Sequence, residues 1–329
     1  MCAASTIGDA TATWGQPRAS ESSPACRAGA TGPRSRLKFP RIARRWRSSP
    51  IPGGLVETFP GLYDRGMPPS PSLAVATRAF AQPLNLALRR VAACGATGVQ
   101  FELREELRPE LLSESGRRQF LHRLSELGLS LSPPYFPTRR ALHDPEQIDD
   151  RVTAVANAMR FASELRARVM TLRLGPIPGS ETAAEERRLL VTILNDLVRH
   201  GNHVGVTLAI SPSGEPAAVY QQLLAEIKQG PIGIDFDPCS FVCSGLKVAD
   251  AFRTLHTHIV HVQARDGVRD LDGTGAETAV GDGMVDWIEL LALLLEAGYR
   301  GWVTAIRNQG QDRGGDVERA IAHLKSIHL

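Results

Sequence analysis

Residues 204–238 read VGVTLAISPSGEPAAVYQQLLAEIKQGPIGIDFDP. VGVTLAI is rich in β-branched residues and almost continuously apolar, the pattern of a strand covered on both faces. SPSGEP interrupts it with turn-forming residues. PAAVYQQLLAEIKQG reads as a helix closing on Gly230, glycine being a common helix stop. PIGIDFD then repeats the buried-strand pattern until Pro238 breaks it. A strand, a helix and a second such strand make a parallel β–α–β unit.

The unit repeats in both directions. Upstream, from about Leu73, the strand SLAVATRAF leads to the helix NLALRRVAACG, the strand GVQFEL, the helix SGRRQFLHRLSELG and a weaker strand, LSLSPPYF. A helix then opens at Asp144-Pro145-x-Gln147, a capping pattern with proline in the first helical position. It carries Val152, Val155, Met159 and Ala162 on one face. The strand RVMTLRL and the helix AEERRLLVTILNDLVRHG complete this half. Downstream come a helix around Ala249–Leu255, the strand HIVHVQA, a helix from Trp287 to Ala297 opened by the capping pair Asp286 and Glu289, the strand WVTAI and a last helix from Val317. Eight strands alternating with eight helices over about 255 residues predict an α/β fold, a closed (β/α)8 TIM barrel over residues 70–329. An open doubly wound sheet is the alternative. It lacks support, because no GxGxxG follows the first strand.

The head of the chain has a different character. Residues 1–66 are rich in Arg, Ser, Pro, Ala and Gly, show neither helical nor strand periodicity, and hold ten Lys/Arg against four Asp/Glu. They read as a disordered basic tail, or as an over-extended gene start with initiation at Met67. An acid-poor targeting segment and a nucleic-acid or membrane-surface arm are the competing readings. The chain's formal charge of +3 therefore conceals a body of net charge −3. Such a body does not suit general electrostatic binding of duplex nucleic acid. No apolar run approaches the roughly 20 residues of a membrane-spanning helix. Five cysteines without a CxxC pattern fit a reducing cytoplasm.

In a barrel of this kind the reactive face is assembled at the carboxyl ends of the strands. In order, those ends carry Arg78, Glu102, the Thr138-Arg139-Arg140 loop, Arg173, Ser211, the pair Asp235 and Asp237, the run His261, Gln263, Arg265 and Asp266, and Ile306 with Asn308. Alternation puts His261, Gln263 and Arg265 on one face of their strand, and likewise Asp235 and Asp237. Converging polar groups there suit a small hydroxyl-rich or anionic ligand. Plainer readings stand beside these. Arg78 and Arg173 also suit rim ion pairs, His261 a core histidine and Asp237 a helix cap before Pro238. His143, His200, His203 and His258 read as loop or surface residues.

The stretches GIDFDP, HIVHVQARD and GDGMVDW…LLEAGYRGW, with the strand before Arg78, resemble sugar isomerases and epimerases of the xylose isomerase-like barrel superfamily, from about Leu73 to the C-terminus. The resemblance implies a divalent cation at the carboxyl mouth, held by a Glu after strand five, an Asp after strand six, a His after strand seven and a Glu after strand eight. The metal would polarise a sugar's carbonyl and hydroxyl oxygens while the two glutamates exchange protons. The corresponding positions here are Ser211, Asp237, Gln263 and Ile306, so only Asp237 keeps a strong ligand. The chemistry left over allows at most a weak Mg²⁺ or Mn²⁺ site with several waters. Glu215 could replace the missing glutamate by swinging inward, or cap the helix beside Pro216. Apurinic endonucleases of the superfamily need a His/Glu cluster and a basic face, and these strand ends supply neither.

The expectation is thus a sugar or sugar-phosphate isomerase/epimerase-like protein that acts on or binds a small carbohydrate or polyol at the barrel mouth. Asp237, His261 and Gln263 are its catalytic candidates. Arg78, Glu102, Arg173, Ser211, Arg265, Asp266 and Asn308 are its ligand-binding candidates. A non-catalytic carbohydrate-binding or scaffold protein, and a metal-independent polyol lyase or dehydratase built on His261, Asp237 and Asp266, are the alternatives. The expected partner is a small molecule, neither nucleic acid nor membrane, and an oligomer is compatible with the sequence.

Overall fold

The computed structural model describes residues 71–179, 181 and 183–327. The basic head, with the expectation of a disordered tail, lies outside the described residues. Among the described residues eleven strands form, nine of them in one all-parallel sheet. β1 (Ser72–Ala76) pairs with β2 (Gly98–Gln100) on one side and with the last strand, β11 (Trp302–Ala305), on the other. From β11 the sheet runs through β8 (Ile259–Ala264), β7 (Ile232–Phe236), β6 (Thr207–Ser211) and β5 (Val169–Arg173) to β4 (Tyr135–Phe136). At the other margin β2 pairs with β3 (Ser130–Leu131).

β3 and β4 are two pieces of one strand. Pro133 and Pro134 lie between them and cannot donate backbone hydrogen bonds, so the ladder breaks there. The seam still closes. Tyr135 N–H donates to the Phe101 carbonyl and Leu103 N–H to the Tyr135 carbonyl, each at 2.9 Å. The amide of Gln100 donates to the Pro133 carbonyl at 2.9 Å. The result is an eight-stranded barrel, the fold the alternating pattern predicts.

The helices in chain order are α1 (Leu84–Ala93), α2 (Glu114–Glu126), α3 (Ile148–Glu164), α4 (Ala184–Val204), α5 (Ala217–Glu226), α6 (Pro238–Cys243), α7 (Val248–Leu255), α8 (Trp287–Glu296) and α9 (Arg313–Ser326). Their apolar faces pack onto the outward sides of the strands in one continuous core that includes Val99, Phe101, Met170, Leu194, Phe236, Val262 and Leu294. Asp286 caps α8 by accepting from Glu289 N–H at 2.9 Å, as its spacing predicts. The cap expected at Asp144 differs. Its carboxylate closes a turn on Glu146 N–H at 2.9 Å, and Arg151 ties that turn down through the Asp144 and Glu146 carbonyls. The helix therefore begins only at Ile148, after Gln147 in a left-handed conformation.

Two features positioning the mouth were not anticipated. First, the register between β7 and β8 slips, with Ile234 opposite Ile259 but Asp235 opposite His261. Val260 is the extra residue of this bulge and turns into a small cluster with Val169 and Ala209. Gly233 is what admits it, because a Cβ at 233 would overlap the Val260 side chain. Second, β9 (Asp266–Arg269) and β10 (Gly275–Thr278) form an antiparallel hairpin inserted after β8.

Candidate functional site

The bulge sends His261 toward the barrel interior, where it joins a buried polar network beneath the mouth. Its Nδ1 donates to Asp235 Oδ1 at 2.6 Å, and its Nε2 lies 2.7 Å from Thr304 Oγ1. Thr304 in turn meets Ser132 at 2.9 Å. Asp235 Oδ2 accepts from Ser211 Oγ at 2.6 Å and from the Gln263 amide at 2.5 Å. One buried carboxylate thus collects three donors from β6 and β8, which is what buried polar groups require. His261 is fully buried and does not line the cavity above it.

That cavity, about 440 Å³, opens at the carboxyl ends of the strands. Its size lies within the roughly 300–1,000 Å³ usual for small-molecule sites. Of the sequence candidates, Arg78, Arg173, Ser211, Asp237, Gln263, Arg265 and Asn308 line it. Glu102, Asp266 and Ile306 do not. The Glu102 carboxylate folds back onto the backbone amides of Arg104 and Glu105, and burial raises its pKa. Asp266, fully buried, accepts from Gly267, Gly281 and Val285 amides and from the Trp287 indole at 2.8–3.1 Å, pinning the loop that enters α8. Ile306 is buried and apolar beyond β11. Arg139 and Arg140 form exposed ion pairs with Glu105, Asp144 and Glu146. Glu215 neither swings inward nor caps α5. It accepts from Ile177 N–H at 2.9 Å and from the Tyr220 hydroxyl.

The wall formed by β7, β8 and the hairpin is an ion cluster. Arg265 donates from one guanidinium nitrogen to Asp237 Oδ2, and from Nε to Glu277 Oε1 at 2.9 Å. With its amide oxygen facing Arg265, Asn308 accepts at 3.3 Å. Glu277 also accepts from the backbone amides of Asn308 and Gln309. Burial opposes the charge on Arg265, but Asp237 and Glu277 together outweigh it and raise its pKa. Asp237 is the weaker side. Burial pushes its pKa up and Arg265 only partly offsets this, and its Oδ1 has no hydrogen-bond partner.

Glu277, which lines the cavity and pairs with Arg265, is not among the residues read from the strand ends. The signal was the Asp272-Gly273 dipeptide, a strong hairpin marker, and Gly273 has φ +89° in the turn. The hairpin returns β10 to the barrel mouth. The two cysteines of α6, Cys239 and Cys243, also line the cavity, with their sulfurs 3.8 Å apart.

The opposite wall is basic. Arg78, just past β1, stacks 4.5 Å over the ring of Tyr135 and lies 3.5 Å from Gln100 Oε1. Arg173 ends β5, where its carbonyl accepts from Thr138 Oγ1 at 2.9 Å. Neither guanidinium forms an ion pair among the described residues.

The residues at this mouth do not fit a divalent cation. The carboxylates of Asp237 and Glu277 already hold the guanidinium of Arg265, Ser211 and Gln263 are spent on Asp235, and Ile306 offers no donor. Among the described residues, no group of three or more His, Cys, Asp or Glu side chains is placed to hold a metal ion. No helix among the described residues is long and apolar enough to cross a membrane.

A parallel eight-stranded barrel with a polar cavity at its carboxyl mouth defines the class. The chain belongs to the xylose isomerase-like TIM barrel family, whose profile matches residues 88–327. No curated protein sequence matches it. Solved structures show the same fold. A xylose isomerase domain protein from Planctomyces limnophilus is 19% identical, with a TM-score of 0.69 over 79% of this chain and 97% of its own. A D-tagatose 3-epimerase-like protein is 17% identical, with a TM-score of 0.64 over 78% of this chain and 97% of its own. The probable 3-DHS dehydratase AsbF from Bacillus anthracis is 13% identical, with a TM-score of 0.64 over 77% of this chain and 98% of its own.

Proposed function

We propose that the protein binds a small polyhydroxylated ligand in the mouth cavity and acts on it as a sugar isomerase or epimerase does, by moving a proton beside a carbonyl. The observation that carries this reading is Asp237, a buried carboxylate that lines the cavity, held by Arg265 through Oδ2 and with no side-chain partner on Oδ1. A carboxylate whose pKa is raised by burial is suited to accept a proton near neutral pH. Arg265, held beside it by two carboxylates, has N–H donors left over for an oxygen of the ligand. Gln263, whose amide nitrogen is anchored on Asp235, keeps its amide oxygen as an acceptor for a ligand hydroxyl. Membership of the family and the epimerase-like neighbour support the same class of reaction.

The test is solvent exchange. Aldoses, ketoses and their acids and phosphates are incubated with the protein in D₂O and followed by proton NMR. Deuterium entering at the carbon beside the carbonyl is expected, with Asp237→Asn slower by about 10²–10⁴-fold. No exchange and no product with any member of the panel would overturn the reading. One observation favours a second reading, binding without turnover. Glu277 is committed to Arg265 and two backbone amides, so the wall has one free carboxylate oxygen where proton traffic across a carbon uses two groups. Ligand-induced stabilisation with no exchange is its outcome.

A further inference from the structure

Three guanidinium groups line the cavity, and they are not equivalent. Arg265 is neutralised by two carboxylates. Arg78 and Arg173 have none among the described residues, although both face the same space. Arg78 is the more telling of the two. Among the described residues its guanidinium lies 3.5 Å from a neutral amide oxygen and is stacked on the ring of Tyr135. Burial disfavours its charge and outweighs the favourable pull of Tyr135, Asp235 and Glu106, none of which forms an ion pair with it, while the charge of Arg265 opposes it further. A partly buried cation with no carboxylate in contact is costly, and such groups cluster where a ligand completes them. Arg173 reaches the cavity from β5, and both it and Arg78 act electrostatically on the Tyr135 hydroxyl. Tyr135 pairs with Thr171, two residues before Arg173 on β5, and carries Arg78 on its ring, so both arginines stand beside this one tyrosine.

We propose that Arg78 and Arg173 form an anion subsite, so that the ligand of this protein is a polyol bearing a carboxylate or phosphoryl group rather than a neutral sugar. The anion sits between the two guanidiniums, which suit planar or tetrahedral oxyanions through paired N–H donors. The ligand's hydroxylated end then points across the cavity toward Asp237 and Gln263. This inference rests on the reading of the cavity as a polyol site, but its test is separate.

Thermal-shift and calorimetric titrations of the full chain use inorganic phosphate, glucose 6-phosphate, D-gluconate and neutral sorbitol. Saturable binding of phosphate, and of glucose 6-phosphate or gluconate in preference to sorbitol, is expected. Arg173→Ala and Arg78→Gln should each weaken anion binding by about tenfold or more, as for loss of a hydrogen bond to a charged group. Arg173 is exposed, so its variant keeps the test valid should Arg78→Gln fail to fold. Gluconate binding without glucose 6-phosphate assigns the subsite to carboxylates, and the reverse to phosphoryl groups. No anion binding, or anion binding unchanged in Arg173→Ala, overturns the subsite, even if proton exchange on neutral sugars is seen. Anion binding that depends on both arginines, with no exchange on any substrate, upholds the subsite and overturns the proposed catalysis.

Discussion

Arg265, one residue past β8, reaches Asp237, one residue past β7, and turns its Nε to Glu277 on the inserted hairpin. A side-chain cation thereby occupies the gap between two carboxylates at the mouth of the barrel. The arrangement depends on three separate segments meeting, so it is sensitive to loss of any one member.

Removing Arg265 leaves two buried carboxylates facing each other. Arg265→Ala should therefore lower stability by about 3–5 kcal/mol, the usual cost of stripping one partner from a buried pair. Adding Asp237→Asn should restore part of that loss. Urea unfolding at neutral pH measures both. Effects of the two substitutions that add to within about 0.5 kcal/mol would mean the pair is not coupled.

Asp237 also gives stability a pH dependence of defined sign. Its folded pKa is raised above the unfolded value, so the folded state holds this proton more firmly than the unfolded chain. The stabilisation it contributes is complete below the unfolded pKa, near 3.8, and is lost as pH rises through the folded pKa. Relative to wild type, Asp237→Asn should gain stability as pH rises from about 4 toward neutrality. Chemical denaturation at several pH values checks this. A difference that is flat, or that moves in favour of wild type, would contradict it.

Asp235 holds the floor. Asp235→Ala leaves His261, Ser211 and Gln263 without their acceptor, and each unsatisfied buried group costs about 1–3 kcal/mol. A loss of about 3 kcal/mol or more is expected in denaturant titrations. A loss below about 1 kcal/mol would show that the three donors find other partners.

The bulge makes a prediction of its own. Gly233→Ala should destabilise by about 1–3 kcal/mol through overpacking against Val260. Val260→Ala in the same chain should recover most of that loss. If the double variant is as weak as the sum of the singles, the clash is not the cause.

The barrel was legible because buried parallel strands and amphipathic helices each leave a periodic trace. The elements from Ser72 to Ser326 follow that trace, apart from the late start of α3, the strand split at Pro133-Pro134, the short helix α6 and the β9–β10 hairpin. The mouth was legible only in part. Strand ends can be read off in order, which located Arg78, Arg173, Asp237 and Gln263. Which side chain bonds which depends on contacts far apart in the chain. Nothing local distinguishes Asp266, folded into the loop before α8, from Asp237, on the cavity wall. Nothing local says that His261 lies under the floor, because the bulge at Val260 arises from pairing between two strands. Glu277 escaped notice because it sits in an insertion after β8 and reaches the site only through the hairpin turn.

Arg265 organises the mouth in the place where a divalent cation would otherwise sit. Titration calorimetry of the full chain with Mn²⁺, repeated on Asp237→Ala, tests that most directly. The account predicts no stoichiometric binding in either protein. One equivalent of tightly bound Mn²⁺ in wild type, lost in Asp237→Ala, would contradict it.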